Sequence, residues 1–523
     1  MMIQLSKQTI AELCLTVSRV YGDKPALTIF RDGKQDDWLS YKSLGEKALQ
    51  FGLSLRNLGI NPGDRVLLLS DNCPEWPIAY FGIAIAGAVS VPLLTGFSEE
   101  QVQNIATHSG VSAVVLGHGM EGKLGMLSKD IPVIFLDEEK MDIVSSFSDS
   151  SLESLPERRP EDLATIIYTS GTSGNSKGVM LSNLNLISCA FSLMSLVKFT
   201  TKDRILSVLP LAHAYECSLA LLTPIMGGSS IAYLDRPPSP SILLPAAAAL
   251  KPTIMATVPL FIEKMYRNGV APKLRKNALF RFPLTRVLAM RFAGRKMNAA
   301  LGGKIRFFGI GGAPLSEEVE LFLRRARFPY AVGYGLTEAS PLIAGSVPFS
   351  FPFRSTGTAI EGVEVRIADN GEILARGPNI MMGYYQNEEQ TAETFTSDGW
   401  LKTGDLGSMD ANGKLYIKGR IKALILGPGG ENIYPEEIEG LLSTSTLVEE
   451  ALVYSDDKGK LVALVILSEA AAAAISMADK ALEELRAWAN KKLSSFSRLD
   501  RIEIRCEPFE KTPTMKIKRY LYA

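Results

Sequence analysis

Ile166-Ile167-Tyr168-Thr169-Ser170-Gly171-Thr172-Ser173-Gly174-Asn175-Ser176-Lys177-Gly178-Val179-Met180-Leu181-Ser182 is the stretch from which the rest of this chain can be read. The apolar run Ile166–Tyr168 leads into a loop of glycines and small hydroxyl residues that ends on Lys177. Thr169, Ser170, Gly171, Thr172, Ser173 and Gly174 offer backbone N–H groups and hydroxyl donors to a string of phosphates, and Lys177 offers one cation. The expected arrangement is a buried strand, a polyphosphate-binding loop, and then an apolar helix. A Walker A loop is excluded, because it needs Gly-Lys-Ser/Thr and here Ser176 precedes Lys177. A flexible Ser/Gly linker is the plainer alternative, and it leaves the apolar segments on both sides unexplained.

On either side of this stretch, short apolar β-rich runs alternate with helical patterns. They are Arg65–Leu69, Ala113–Leu116, Val133–Leu136, Thr165–Tyr168, Ile205–Leu209, Ser230–Tyr233, Ile254–Thr257 and Ile305–Gly309. Such alternation predicts an α/β fold with open, mainly parallel sheets flanked by helices. The uncharged run from Trp76 to Ser98 is long enough to suggest a membrane span, but Pro77, Gly82, Gly87, Pro92 and Gly96 interrupt it. It reads as a buried helix to about Ala86 followed by a core strand from Ala88 to Leu93. From about Gly357 the pattern shifts to short strands with tight turns: Val363–Ile367, Glu372–Ala375, and a hairpin of Gly407–Met409 with Lys414–Lys418 across Asn412-Gly413. The main boundary falls at Gly419–Lys422, giving one unit over residues 1–419 and a small α+β unit over 420–523. Ala470–Ala474 reads as a helix start or a connecting loop in the small unit.

Three further motifs carry chemistry. Gly309-Ile310-Gly311-Gly312-Ala313-Pro314 and Gly333-Tyr334-Gly335-Leu336-Thr337-Glu338 are strand-end glycine turns that let a flat base approach the backbone. Tyr334 adds a ring to stack on, and Glu338 adds oxygens for a hard cation. In Asp398-Gly399-Trp400-Leu401-Lys402-Thr403-Gly404-Asp405 and Tyr416-Ile417-Lys418-Gly419-Arg420, the carboxylate of Asp405 and the guanidinium of Arg420 suit the two hydroxyls of a ribose. A surface Asp–Arg pair is the bland alternative. Lys511-Thr512-Pro513-Thr514-Met515-Lys516-Ile517-Lys518-Arg519 would pass on its own as a solvated basic tail.

Taken in this order, the motifs resemble those of the AMP-forming acyl-CoA synthetase, adenylation-domain and luciferase superfamily, over essentially the whole chain. The resemblance implies a large N-terminal domain of helix-flanked sheets plus a distorted β-barrel, and a small mobile C-terminal domain. It implies that Gly311, Gly312, Ala313, Pro314, Tyr334 and Gly335 line the adenine, that Thr337 contacts the α-phosphate, and that Glu338 and Thr172 hold Mg²⁺. It makes Lys516 the residue that bridges the substrate carboxylate and the α-phosphate, and Lys422 the hinge between half-reactions, although Ala423 replaces the acidic residue common beside it. It presents the loop Gly427–Glu439 to the active site in the second state. Met515 stands where many relatives have glycine, a mild departure shared by long-chain members.

The implied activity is that of an acid–thiol ligase that makes an acyl-AMP from ATP and passes the acyl group to coenzyme A, or to the phosphopantetheine of an acyl carrier protein. His213, in Leu209-Pro210-Leu211-Ala212-His213-Ala214-Tyr215-Glu216-Cys217, falls where the family's acyl-site motif lies; a structural role for it is equally open. No aspartate follows it closely to pair an amino acid's ammonium, and Ser218–Leu234 is uncharged. The chain looks most like medium- to long-chain fatty acyl ligases. A catalytically silent binding protein on the same fold and a luciferase-like oxygenase remain as other classes.

Bulk properties are consistent with this reading. Hydrophobic content of 46% and charged content of 21% over 523 residues indicate a folded protein of at least two units. The 56 basic residues cancel the 56 acidic ones, so no global field draws the protein to nucleic acid. Cys14, Cys73, Cys189, Cys217 and Cys506 are scattered, without metal-ligand spacing, and the N-terminus shows no signal-peptide pattern. Both point to a cytoplasmic setting. One local bias stands out: from Lys264 to Arg306 there is no acidic residue, yet Lys264, Arg267, Lys273, Arg275, Lys276, Arg281, Arg286, Arg291, Arg295, Lys296, Lys304 and Arg306 all occur. With Leu279, Phe280, Phe282, Leu288, Met290 and Phe292 interleaved, the 264–306 region reads as a basic amphipathic surface for anionic membrane or an acidic carrier protein. The alternative is a solvated face.

Overall fold

The uncharged run from Trp76 folds as the helix Glu75–Ile85, a turn at Gly87 (φ 75°) and the strand Val89–Leu93, whose residues are all buried. The protein is described here from a computed structural model that covers residues 3–125, 127, 131–136, 155–170, 176–276, 283–426, 431–457, 459–472, 478–512 and 517–522. Among these, no helix is long and apolar enough to cross a membrane.

Val89–Leu93 belongs to a seven-stranded sheet among the described residues. It pairs in parallel with Arg65–Leu69 and with Leu163–Ser170, and Arg65–Leu69 pairs in parallel with Val111–Leu116. A ten-stranded sheet among the described residues runs in parallel through Pro25–Arg31, Ser230–Leu234, Arg204–Leu206, Ile254–Thr257, Phe307–Ile310 and Tyr330–Gly335. It turns antiparallel at Leu342–Gly345 and Thr358–Ala359. The parallel strands read as near-continuous apolar runs because helices cover both faces. The region expected to form a distorted barrel contributes four antiparallel strands, Glu364–Ile367, Glu372–Arg376, Leu401–Met409 and Leu415–Arg420, joined to the large sheet by a bridge from Gly357 to Leu415. The hairpin turns at Asn412-Gly413 as expected, with Gly413 at φ 73°.

The predicted helix directly after the phosphate loop is corrected by the structure. Leu163–Ser170 pairs antiparallel with a second strand, Ser176–Ser182, and the helix Asn183–Val197 begins only after it. Its start is fixed by a capping box in which the Ser182 hydroxyl accepts from Asn185 N and the Asn185 side chain accepts from Ser182 N. The loop therefore joins two strands of a hairpin, and the dipole of that helix begins one whole strand away from it.

Beyond Arg420 the chain passes through the turn Ile421–Ala423 into the helix Pro435–Leu442, the strands Val448–Ser455, Leu461–Leu467 and Arg501–Ile504, and the helix Ala478–Asn490. These share a hydrophobic cluster of their own, built on Ile438, Leu442, Val453, Ala463, Val465 and Leu485. Glu469–Ala472 is a short helix, so the alanine-rich stretch is a helix start as far as it is described.

Candidate active site

In the ten-stranded sheet, Gly311–Pro314 and Thr337–Glu338 both lie just past the carboxyl ends of parallel strands, where α/β sheets bind ligands. Gly312 has φ 85°, a conformation only glycine adopts cheaply, and Gly312, Ala313 and Pro314 are exposed. At Gly335 a Cβ would come within 1.8 Å of the Pro341 carbonyl oxygen, so the strand can turn into Thr337–Ala339 only with glycine there. Asn379 braces that turn, donating from Nδ2 to the Ala339 and Leu342 carbonyls at 2.8 and 2.7 Å.

Each of the two large sheets contributes to a polar chain. Lys177, opposite Thr169 in the hairpin, sets its Nζ 5.2 Å from the centre of the Tyr384 ring. Tyr384 sits on the edge strand Gly383–Tyr384, antiparallel to Val179 and Met180, and its hydroxyl donates to Glu338 Oε1 at 2.9 Å. Burial, then the cation of Lys422, hold the Lys177 ammonium below the ordinary lysine value, with Glu338 and Glu393 acting against them. Burial and the Glu338 charge push the Tyr384 phenol up, so it remains a donor.

The four-stranded sheet supplies the third component. Asp405 and Arg420 are cross-strand partners, with Arg420 Nε 3.2 Å from Asp405 Oδ1. Tyr334 donates its phenol to Asp405 Oδ2 at 2.8 Å. Asp405 is 5% exposed, so this is not the exposed surface pair of the bland alternative. Burial works against the Arg420 charge, but Asp405, Glu436, Tyr334 and Glu338 outweigh it and hold the guanidinium above its ordinary value. Tyr334 is thus more than a stacking ring: its polar end is tied to the carboxylate.

An apolar cleft opens beside Gly309 and runs between the large sheet and the helix Asn183–Val197; its empty space of about 380 Å³ includes open solvent, and the interior volume is only about 30 Å³. Gly309, Ala331, Gly333 and Gly345 floor it, and Leu193, Leu196, Tyr215 and Leu219 cover it. Tyr215 packs against Gly309 and Gly311, where an added Cβ would stand 3.3 Å from its side chain. His213 caps the turn Ala214–Glu216 and its Nδ1 accepts from Tyr215 N at 3.2 Å, leaving Nε2 as the donor of the neutral ring. Next to it, fully buried Glu216 accepts through Oε1 from Ser207 Oγ, Val208 N and Leu209 N, fixing the segment that leads to His213.

The structure therefore brings together Thr169, Lys177, Gly311, Gly312, Ala313, Pro314, Tyr334, Gly335, Thr337, Glu338, Asp405 and Arg420. Of Ser170 only the backbone is described, and Gly171, Thr172, Ser173, Gly174 and Lys516 lie outside the described residues. Sequence reasoning missed Tyr384, Asn379, Tyr215 and Glu216 as positioning groups, and no local pattern marked the first two. Among the described residues no three His, Cys, Asp or Glu side chains converge. A lone Glu338 held by a tyrosine fits Mg²⁺ chemistry, in which one or two carboxylates and the substrate phosphates share the cation.

Comparison with known proteins shows the family and the fold. The profile described as AMP-binding enzyme matches residues 16–385, and the AMP-binding enzyme C-terminal domain matches residues 437–516. The long-chain-fatty-acid–CoA ligase FadD15 of Mycobacterium bovis is 32% identical, with 96% of this chain and 95% of that protein covered. Long chain acyl-CoA synthetase 7, peroxisomal, of Arabidopsis thaliana is 30% identical over 82% of this chain and 68% of its own length. Among solved structures, the O-succinylbenzoate coenzyme A synthetase of Bacillus subtilis in complex with AMP superimposes with a TM-score of 0.79 at 24% identity, covering 98% of this chain and 97% of that one. The ATP-bound MatB of Rhodopseudomonas palustris gives 0.78 at 23% identity, covering 98% of each.

Proposed function

The chain belongs to the AMP-binding enzyme family, and from that premise we propose that it is an ATP-dependent ligase that joins a medium- to long-chain fatty acid to coenzyme A through an acyl-AMP. The observation that carries the reading is the junction at Gly309–Gly311. An uncharged cleft meets a glycine turn there, with Asp405, Arg420, Glu338 and Lys177 grouped on the polar side.

Adenine lies against Gly311–Pro314 and Tyr334, and the ribose hydroxyls donate to the lone pairs of Asp405 left over by Tyr334 and Arg420. The fatty chain enters along this cleft, which must widen to take it, and its carboxylate emerges towards Gly311. Attack of that carboxylate on the α-phosphorus brings two anions together, so the site must neutralise charge that grows as pyrophosphate departs. Lys177, the loop 169–174 and the Thr337 hydroxyl stabilise the phosphates, and Lys516 bridges the carboxylate and the α-phosphate. When bound at Glu338 and Thr172, Mg²⁺ supplies further neutralisation of the phosphate oxygens. His213, held by the backbone N–H of the cleft-lining Tyr215 two residues on, would meet the substrate carboxylate.

Three finer statements belong to the same proposal. Residues 420–523 act as a mobile lid turning about Lys422. Coenzyme A is the acceptor, with the phosphopantetheine of an acyl carrier protein as the second reading. The basic 264–306 region makes peripheral contact with an anionic surface.

Fatty-acid-dependent AMP formation from MgATP, measured with coenzyme A and then with a carrier protein, tests the reading. Turnover should collapse in Lys516→Ala, because one well-placed donor is worth on the order of 10²–10³ in rate. Absence of turnover with every acid, in a folded protein that binds ATP, would move the assignment to a silent binding protein.

A further inference from the structure

Two neighbouring helices on the outer side of the ten-stranded sheet expose more apolar surface than their packing requires. The helix Pro240–Leu250 has no charged residue. Its Leu243, Ala246, Ala247 and Leu250 are buried in the cluster under the sheet, yet Leu244, Pro245, Ala248 and Ala249 are exposed. A helix that is apolar all round is normally buried on all sides or faces lipid. Beside it, the helix Pro283–Ala300 packs Ala289, Met290 and Met297 inward. Met290 is 5% exposed and so does not belong to the outer face expected from sequence. That outer face carries Val287, Leu288 and Phe292 at 40%, 63% and 58% exposure.

Cations surround these apolar groups. Arg291, Arg295 and Lys296 are exposed on the same helix, and Lys296 Nζ lies 4.7 Å from the Phe292 ring centre. Lys251 and Lys304 are exposed at the ends of the two helices. Arg325 and Arg327 lie across the contact where a Cβ on Gly294 would stand 2.6 Å from the Ala326 oxygen. Among the described residues, Arg306 is engaged by Asp203 at 2.7 Å and Arg267 by Glu263 at 3.7 Å, so neither belongs to this face. Leu279, Phe280 and Phe282 lie outside the described residues.

From this surface we infer that the paired helices Pro240–Leu250 and Pro283–Ala300 form a docking platform for an anionic lipid bilayer. Leu288 and Phe292 enter the acyl boundary while the arginines and lysines meet the headgroup phosphates. The occupant is lipid rather than an acidic protein because the face combines a charge-free helix with large exposed apolar side chains, the composition of an interfacial helix. The chain is neutral overall, so the excess cations are a local feature. The inference goes beyond the ligase reading, to which it adds a source: a long-chain fatty acid partitions into bilayers, and docking would place the enzyme at its supply.

Flotation of the full chain with vesicles tests it, using equimolar phosphatidylcholine and phosphatidylglycerol against phosphatidylcholine alone. The parent should bind the anionic vesicles and leave the neutral ones. Both Leu288→Gln/Phe292→Gln and Arg291→Gln/Arg295→Gln should bind on the order of tenfold or more weakly, and salt should weaken the parent further. These residues are exposed and none of them lines the cleft, so turnover of a short soluble acid without vesicles should equal that of the parent. That arm separates failure of docking from failure of the ligase reading. Equal binding of parent and variants, or no binding to either vesicle, overturns the inference. So does retention by an acidic carrier protein that depends on Arg291 and Arg295 in the absence of vesicle binding.

Discussion

Replacing Glu216 by glutamine isolates one buried charge whose cost can be worked out from the structure. Oε1 accepts at 2.6 Å from Ser207 Oγ, at 3.0 Å from Val208 N and at 3.2 Å from Leu209 N, while buried Oε2 has no hydrogen-bond partner among the described residues. Burial outweighs the three donors and pushes the carboxyl from 4.5 up to about 7. An acid raised in this way binds more protons folded than unfolded, so its contribution to stability is full at low pH and is lost as pH rises through that interval. The full displacement corresponds to about 3.4 kcal/mol, of which about 2.5 kcal/mol falls between about pH 5 and pH 8. Glutamine keeps an oxygen for the same three donors and cannot ionise. Urea unfolding of parent and variant across that range should therefore show the variant gaining about 2.5 kcal/mol relative to the parent as pH rises. Glu216→Ala is the control, since it strands three donors and should be destabilised at every pH, by about 1–3 kcal/mol for each one left buried. A parent-to-glutamine difference that stays flat across the range would refute the assignment of the titration to Glu216.

Tyr384→Phe removes the hydroxyl that holds Glu338 and should raise the half-saturating Mg²⁺ concentration about tenfold, from a hydrogen bond to a charged group worth about 1.5–3 kcal/mol, with little change in melting temperature. An unchanged metal titration would show that Tyr384 does not position Glu338. Asp405→Asn should raise the KM for ATP while leaving the fatty-acid KM within a factor of about three, and should also lower stability because Arg420 and Tyr334 lose a charged partner. Steady-state kinetics and thermal unfolding separate the two effects. Gly333→Val places a side chain on the cavity floor, where the nearest atom to a new Cβ is Leu342 Cδ1 at 3.1 Å. It should shift preference to shorter acids, losing about fourfold in kcat/KM for each methylene excluded, given about 0.8 kcal/mol per buried methylene. A kcat/KM series over acid lengths with an unmoved optimum would take Gly333 off the acyl path.

The sequence made legible those parts of the molecule that depend on local pattern. Ile254–Thr257 and Arg65–Leu69 match the observed strands to the residue, because a buried parallel strand is an apolar run bounded by turn residues. The hairpin strand Ser176–Ser182 was hidden because Val179-Met180-Leu181 is too short an apolar run to separate strand from helix start. The signal that dates the helix was nonetheless present: Ser182 followed by Asn185 is the cap pattern that puts its first turn at Asn183. Tyr384 and Asn379 left no such trace. Their roles exist only because the seven-stranded sheet lays Gly383–Tyr384 along Val179–Met180, which carries a distant part of the chain back to Glu338.

That convergence also accounts for the electrostatics of the site. Each sheet brings charges to the junction: Lys177 from the seven-stranded sheet, Glu338 from the ten-stranded one, and the mutually paired Asp405 and Arg420 from the four-stranded one, with Lys422 just beyond it. Tyr334 and Tyr384 link across the sheets, each donating a phenol to a carboxylate from a different one or a neighbouring edge. The carboxylates are thereby held, but the Lys177 cation is left with burial and Lys422 working against it. A polyphosphate bound as proposed would work against that balance, since it would offer Lys177 anionic partners. When the anion leaves, the repulsion between Lys177 and Lys422 returns. Departure of pyrophosphate would thus leave Lys177 and Lys422 opposed once more, and Lys422 is the residue about which the small domain is proposed to turn.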